Sequence, residues 1–353
     1  MAGSLRKAGL RILKLACQPV AGVACVRVKM MNLQEIYHVI KKDLDWIEEE
    51  LQNAIKTGQP VLNESSAHLL KAGGKRMRPV FVLLSGRFGH YEREELKRVA
   101  VALELIHMAT LVHDDVIDDA DTRRGQATIK KEWDNKVAMY TGDFILARAL
   151  MELSGLKDKT VHPILAKAMT LVCLGEMDQI EDLYSERLSL RRYLRRIKRK
   201  TALLMSVSCQ LGALVSQASP RYVQWLKAYG YYVGMAFQLK DDVLDFIGDE
   251  KTLGKPAGND LRQGNVTLPV IYALCQGDED ARNSIRSYLR TQGETVALSQ
   301  VLDQVRESGG IEYTLDLSKR YMNKAMHCLK QLPASTERES LRLIAEFIVE
   351  RSY

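Results

Sequence analysis

His107-Met-Ala-Thr-Leu-Val-His-Asp-Asp-Val-Ile-Asp-Asp-Ala-Asp-Thr-Arg-Arg-Gly125 ends an apolar segment on five aspartates within eight positions, 114 to 121, and two arginines follow. Asp114 and Asp118 stand four apart and Asp115 and Asp118 three apart, so on a helix the three carboxylates share one face. Val116 and Ile117 do nothing to relieve their repulsion. The cluster calls for a bound cation.

The pattern returns far downstream. Phe237-Gln-Leu-Lys-Asp-Asp-Val-Leu-Asp245 places Asp241, Asp242 and Asp245 on one helical face by the same arithmetic. One such cluster at a helix end reads most simply as a solvated face. Two, each behind an apolar run, read as two carboxylate walls. Mg2+ suits them, because it takes oxygen ligands, keeps several waters and is usually held by one or two carboxylates together with substrate phosphates.

Working outward, the chain has 353 residues, enough for one large domain or two ordinary ones, and 46% of them are hydrophobic, which excludes global disorder. The net charge of +7 suits nucleic acid, an anionic membrane surface or anionic substrates. Part of that charge is local, since residues 1–31 carry Arg6, Lys7, Arg11, Lys14, Arg27 and Lys29 and no acid. This segment reads either as an organelle transit peptide or as a stretch behind an upstream start, with Met30 or Met31 opening the folded protein; the second reading is preferred, and it is set apart from fold reasoning. The six cysteines are scattered without a C-x-x-C pair, which points to reduced thiols and a cytoplasmic protein. No apolar run reaches the roughly 18 residues of a membrane span.

From residue 32 onward helical periodicity is almost continuous. Ile36, Ile40, Leu44, Ile47 and Leu51 open it, and long periodic segments follow, among them 95–119, 190–216 and 221–248. Strand alternation and Asn-Gly hairpins are absent, and no fixed-period repeat suggests a solenoid. The expected fold is all-α: one domain, 32–353, built of ten or more helices.

Other stretches carry candidate chemistry. Ala72-Gly-Gly-Lys-Arg-Met-Arg-Pro79 sets two glycines before three cations and a helix-starting proline, so its backbone amides with Lys75 and Arg78 form a plausible diphosphate cradle, or a basic surface turn. Arg123 and Arg124 follow the first cluster, where guanidinium pairs either grip phosphate or neutralise the neighbouring aspartates. The run 191–200 is the best nucleic-acid candidate, but it lacks interleaved aromatics beyond Tyr193 and reads as a solvated helix face with only its last members, up to Lys200, turned inward. Gly254-Lys-Pro-Ala-Gly-Asn-Asp260 is a glycine-rich loop whose Lys255 can close over a diphosphate. Glu176 and Gln179, one turn apart in an apolar segment, read as facing a cavity or as a satisfied core pair.

Taken together, G-G-K-R-x-R-P at 73–79, D-D-x-x-D at 114–118 with R-R-G at 123–125, K-T at 200–201, F-Q-x-x-D-D-x-x-D at 237–245 and G-K-P-x-G-x-D at 254–260 resemble the trans-polyprenyl diphosphate synthases over about 33–353. That family elongates an allylic diphosphate with isopentenyl diphosphate on the isoprenoid synthase fold, so the resemblance implies a single large helical bundle of ten or more helices around a central cavity. The wording between the motifs looks most like the catalytic large subunits, component II, of bacterial heptaprenyl diphosphate synthases. The resemblance implies that Asp114, Asp118 and Asp241 hold three Mg2+ ions, with Asp115, Asp242 and Asp245 in catalytic support. It implies that Arg123, Lys200, Thr201, Gln238 and Lys255 bind the allylic diphosphate, and that Lys75, Arg78, His107 and Arg124 bind isopentenyl diphosphate. Gly264-Asn265 departs from the Gly-Lys of many members, so one lysine contact is missing.

Product length follows from the same resemblance. Short-chain members carry a bulky aromatic four or five residues before Asp114, where this chain has Thr110 and Ala109. Small residues about one turn below the aspartate leave room for a long product, expected to be heptaprenyl for a menaquinone side chain. The expected partner is a small component I subunit in a heterodimer, with a self-sufficient homodimer as the alternative. A terpene cyclase is disfavoured by the all-aspartate second cluster, and a non-catalytic scaffold subunit by both clusters being intact.

Overall fold

The computed structural model describes residues 40–247 and 257–350, with the side chains of Val349 and Glu350 excepted. The basic extension 1–31 and Lys255 lie outside the described residues. The described residues belong to one compact unit, Leu33–Tyr353.

Local sequence starts and stops the helices. Helix α1 (Lys41–Ala54) turns Ile47, Leu51 and Ala54 inward, and α2 (Pro60–Lys71) begins on proline with the Gln59 side chain accepting from Leu62 N at 2.7 Å. Helix α3 (Met77–Gly86) is buried on nearly every face, as its apolar run from Pro79 to Leu84 requires. It leads to α4 (Arg93–Ile117), 25 residues ending at the first aspartate cluster.

A short antiparallel hairpin, β1 (Thr122–Arg123) with β2 (Gln126–Ala127), follows that cluster. No strand signal marks this hairpin in the sequence, because the turn is made by Arg124 and Gly125, both with left-handed backbone (φ 54° and 75°), instead of Asn-Gly. Next come α5 (Ile129–Glu132), α6 (Asn135–Ser154), capped by Asp134 on Val137 N, and α7 (Val161–Asp182).

The segment 190–216, expected as one helix, is broken. It runs as α8 (Leu190–Ile197), a five-residue π-turn (Lys198–Ala202) and α9 (Leu203–Val215). Helix α10 (Pro220–Ile247) carries the second aspartate cluster, and α11 (Asn259–Arg262), α12 (Leu268–Gln276), α13 (Glu279–Thr291), α14 (Leu298–Glu307), α15 (Gly310–Lys330) and α16 (Thr336–Glu350) complete the unit.

Helices α3, α4, α9 and α10 form the centre, with α6 against α4 and α15 against α10. The centre is tight: a Cβ on Gly212 of α9 would stand 2.2 Å from the Val82 carbonyl oxygen of α3, so only glycine permits that crossing. Among the described residues no helix is long and apolar enough to cross a membrane. The architecture is the helical one that periodicity predicts, arranged around the cavity that the resemblance implies.

Candidate active site

The cavity, about 700 Å3, lies between α4, α7, the segment from α8 to α9, and α10. Two chemistries share it.

On one side the aspartate walls face each other. Asp114 and Asp118 project from the end of α4, and Asp241 and Asp242 from α10, all four lining the cavity. Burial, with Glu176 and Asp118 adding to it against the pull of Lys200, pushes Asp114 up to about 6. Asp242 is driven up to about 6 by burial, although it accepts hydrogen bonds from the Tyr193 hydroxyl and from Gln238 Nε2 at 2.8 Å. Thr201 Oγ1 donates to Gln238 Oε1 at 2.7 Å, so a chain of contacts links the π-turn to the second cluster. Asp115 is not in the cavity wall; it is buried and accepts from Arg123 Nε at 2.7 Å, holding that guanidinium at the rim. Asp245 is buried too, accepting from the backbone N–H of Asp260 at 3.2 Å, which fixes the start of α11.

On the other side cations crowd. Lys75, Arg76, Arg78, Arg123, Arg124 and His107 line the cavity with Glu104 as the acid among them. Arg76, left-handed at φ 47°, makes a two-pronged pair with Glu48 of α1 and a 3.2 Å bond to Glu104, so its charge is answered. Arg78 is less well served: its Nε is buried without a hydrogen-bond partner, and burial together with nearby Arg124 lowers its pKa to about 10. Burial, helped by Arg78, Arg124, Arg123 and Arg76, holds His107 well below the usual imidazole range, so it is neutral. Gly74 matters here because a Cβ would meet Arg124 Nη1 at 2.6 Å. Positive charge exceeds negative on this side, which is the electrostatics of an anion site.

The donor set also fits divalent cations. Asp114, Asp118 and Asp241 are hard oxygen donors on opposing helices, and a buried carboxylate raised toward 6 is one short of positive charge. Among the described residues no three His, Cys, Asp or Glu side chains converge enough to hold an ion unaided. The arrangement therefore suits ions that complete their coordination with an anionic ligand.

The remaining wall is apolar. Met77, Leu111, Val172, Ile197, Leu204, Met205 and Phe237 line it, and Thr110 opens toward it. Ala109, one position away, is buried in helix packing and does not line the cavity.

Tyr193, Arg196 and Glu104 were not picked out from sequence, although Glu104 is a lone acid inside the apolar run Val99–Ile106, a visible signal. Arg196 is buried, bonding the Val266 carbonyl at 2.6 Å, so the basic run 191–200 does turn members inward. Glu176 and Gln179, read as cavity-facing, line it.

Known proteins agree with this picture. The sequence pattern of the polyprenyl synthetase family matches residues 59–305. Heptaprenyl diphosphate synthase component 2 of Geobacillus stearothermophilus is 51% identical over 323 residues, 92% of this chain and 100% of that protein. The crystal structure of heptaprenyl diphosphate synthase from Staphylococcus aureus superposes with a TM-score of 0.83 at 40% identity, covering 92% of this chain and 100% of that one. A polyprenyl synthase from Caulobacter crescentus CB15, crystallised with calcium and isoprenyl diphosphate, gives 0.87 at 31% identity over 92% of this chain and 99% of that one.

Proposed function

The chain belongs to the polyprenyl synthetase family and is a trans-prenyltransferase of the isoprenoid synthase fold; on that premise we propose the reaction its cavity performs. It condenses an allylic diphosphate, farnesyl diphosphate as primer, with successive isopentenyl diphosphates to all-trans heptaprenyl diphosphate. A menaquinone side chain is the proposed destination. The observation that carries the reading is the division of one cavity into an acidic half for cations and a half with excess positive charge for an anion.

Each residue then has a task. Asp114, Asp118 and Asp241 would hold the divalent ions, proposed to be three Mg2+, which when bound withdraw charge from a departing diphosphate as Lewis acids. Arg123, kept at the rim by Asp115, and Lys200, Thr201 and Gln238 grip the allylic diphosphate, with Lys255 added by resemblance. Lys75, Arg78 and Arg124 bind the diphosphate of isopentenyl diphosphate through charge-assisted hydrogen bonds, and neutral His107 contributes one more. The apolar wall from Leu111 to Phe237 keeps water from the allylic cation. The double bond of isopentenyl diphosphate attacks that cation, and the released proton passes to the departing diphosphate.

The name of the Geobacillus relative supports a second subunit, a small component 1, in a heterodimer. A homodimer is the alternative. Exposed apolar side chains on α6 (Met139, Tyr140, Leu150, Met151) and α7 (Leu174, Met177, Ile180) favour a partner of either kind. The proposed location is the cytoplasm, with the product's apolar tail drawing the enzyme to membrane surfaces.

Product analysis tests the whole reading. The purified chain receives labelled isopentenyl diphosphate, farnesyl diphosphate and Mg2+, alone and with candidate component 1 chains. Heptaprenyl product only on mixing is the expected result. Product from the chain alone would make it a homo-oligomer, and no prenyl product under either condition would refute the reaction.

A further inference from the structure

Lys200 reaches the cavity from the π-turn, and one side of α7 receives it. Its ammonium donates to Glu176 Oε2 at 2.9 Å and to Gln179 Oε1 at 3.0 Å, with Asp114 Oδ2 at 3.8 Å. Glu176 and Gln179 are three apart, so both project from the same side of α7.

Gly175 makes that approach possible. A Cβ there would lie 2.7 Å from Arg199 Cβ in the π-turn. On the other flank, a Cβ on Gly234 of α10 would stand 2.5 Å from Ala202 Cα. The turn is therefore pinched between two glycine contacts, and Arg199 adds an ion pair with Asp178 of α7 at 2.6 Å. A π-turn inside a helical run is an uncommon conformation that clusters at functional sites. Here its result is concrete, because it sets Lys200 and Thr201 into the cavity beside the first and second aspartate clusters respectively.

A lysine side chain is long and flexible, so ordering it at the moment of binding weakens the grip on an anion. Left to itself beside Asp114, its ammonium would also settle on that carboxylate. Both problems have one remedy. We propose that Gly175, Glu176 and Gln179 are positioning residues for Lys200, holding its ammonium ready for the allylic diphosphate and off Asp114, so that cation and carboxylate serve the same ligand instead of neutralising each other. The inference rests on the reading of Lys200 as a diphosphate ligand.

A double-mutant cycle tests it. Binding of farnesyl thiolodiphosphate, which cannot ionise readily, is measured by calorimetry with Mg2+ on the full chain, and melting curves verify folding. Glu176→Gln and Lys200→Ala are each expected to weaken binding about tenfold, the scale of a hydrogen bond to a charged group. The double variant is expected to bind no worse than Lys200→Ala, because Glu176 acts only through the lysine. Gln179→Met provides a second arm with little change in volume, expected to weaken binding several-fold in the parent and not in Lys200→Ala. The Michaelis constant for isopentenyl diphosphate stays unchanged in both arms.

Full multiplication of the two losses in the double variant overturns the proposal. So does tighter binding by Glu176→Gln, the result if its carboxylate merely repels the diphosphate. Unaltered binding by Lys200→Ala strikes instead at the assignment of Lys200 itself, and the inference falls with it.

Discussion

A carboxylate at the last turn of a helix sits against the negative end of the helix dipole, and Asp114 and Asp118 sit there together at the end of α4. For Asp114, burial and its acidic neighbours outweigh the pull of Lys200 at 3.8 Å. Removing one charge is therefore expected to leave the substrate-free chain at least as stable, while turnover falls on the order of 10²-fold or more. Asp114→Asn is the variant, checked by thermal melting and initial rates; turnover near the parent value would sink the metal assignment. The small residues below Asp114 separate into two roles. Thr110 opens on the cavity, so Thr110→Tyr is expected to shorten the product, read by chromatography of labelled chains, and unchanged length would count against a tail running there. Ala109→Tyr puts its ring into close helix packing, where overpacking costs about 1–3 kcal/mol, so it is expected to lower the melting temperature more than Thr110→Tyr does.

Elements decide where such residues point, and here sequence reasoning succeeds and fails for definite reasons. The i,i+4 spacing of Asp114 and Asp118 was enough to place both on the cavity side of α4. The same rule admitted Asp115, yet successive residues on a helix differ by about 100°, and the structure turns Asp115 to Arg123 instead. Asp245 likewise turns to the start of α11. A shared face read from sequence is simply broader than a cavity wall. The π-turn was invisible because its residues, Lys198 to Ala202, are ordinary helix formers; packing against Gly175 and Gly234 selects it. The hairpin was hidden because Arg124 takes the left-handed place usually given to Asn. Gly125 has open space around the position of a Cβ, so Gly125→Val tests its backbone alone (φ 75°). A β-branched residue there costs about 1–2 kcal/mol and relaxes the turn that aims Arg124. The Michaelis constant for isopentenyl diphosphate is expected to rise several-fold with a smaller change in kcat, and an unaltered constant would detach Arg124 from that substrate.

At the scale of the molecule, the described residues leave apolar side chains in water along two helices. On α6 the exposed residues Met139, Tyr140, Leu150 and Met151 recur at a spacing of eleven, about three helical turns, so they form one stripe. On α7 Leu174, Met177 and Ile180 recur every three, a second stripe. Single exposed hydrophobics are ordinary, but two aligned rows point to a protein partner. The α7 row also runs into a recess lined by Ile117, Ile180 and Leu183 together with Asp114, Asp118 and Glu176, so a partner seated on α7 borders the mouth of the active site. Met151→Glu and Met177→Glu introduce charge at positions more than half exposed, where folding has little at stake. Each is expected to leave the melting curve of the isolated chain nearly unchanged. Each is also expected to weaken association, with component 1 or with a second copy, by about tenfold or more, as a buried unpaired charge in an apolar interface requires. Sedimentation velocity of the parent and the variants, alone and mixed with component 1, reads this directly. If Met177→Glu assembles as the parent does, the α7 stripe lies outside the interface, and loss of assembly in Met151→Glu alone would confine the partner to α6.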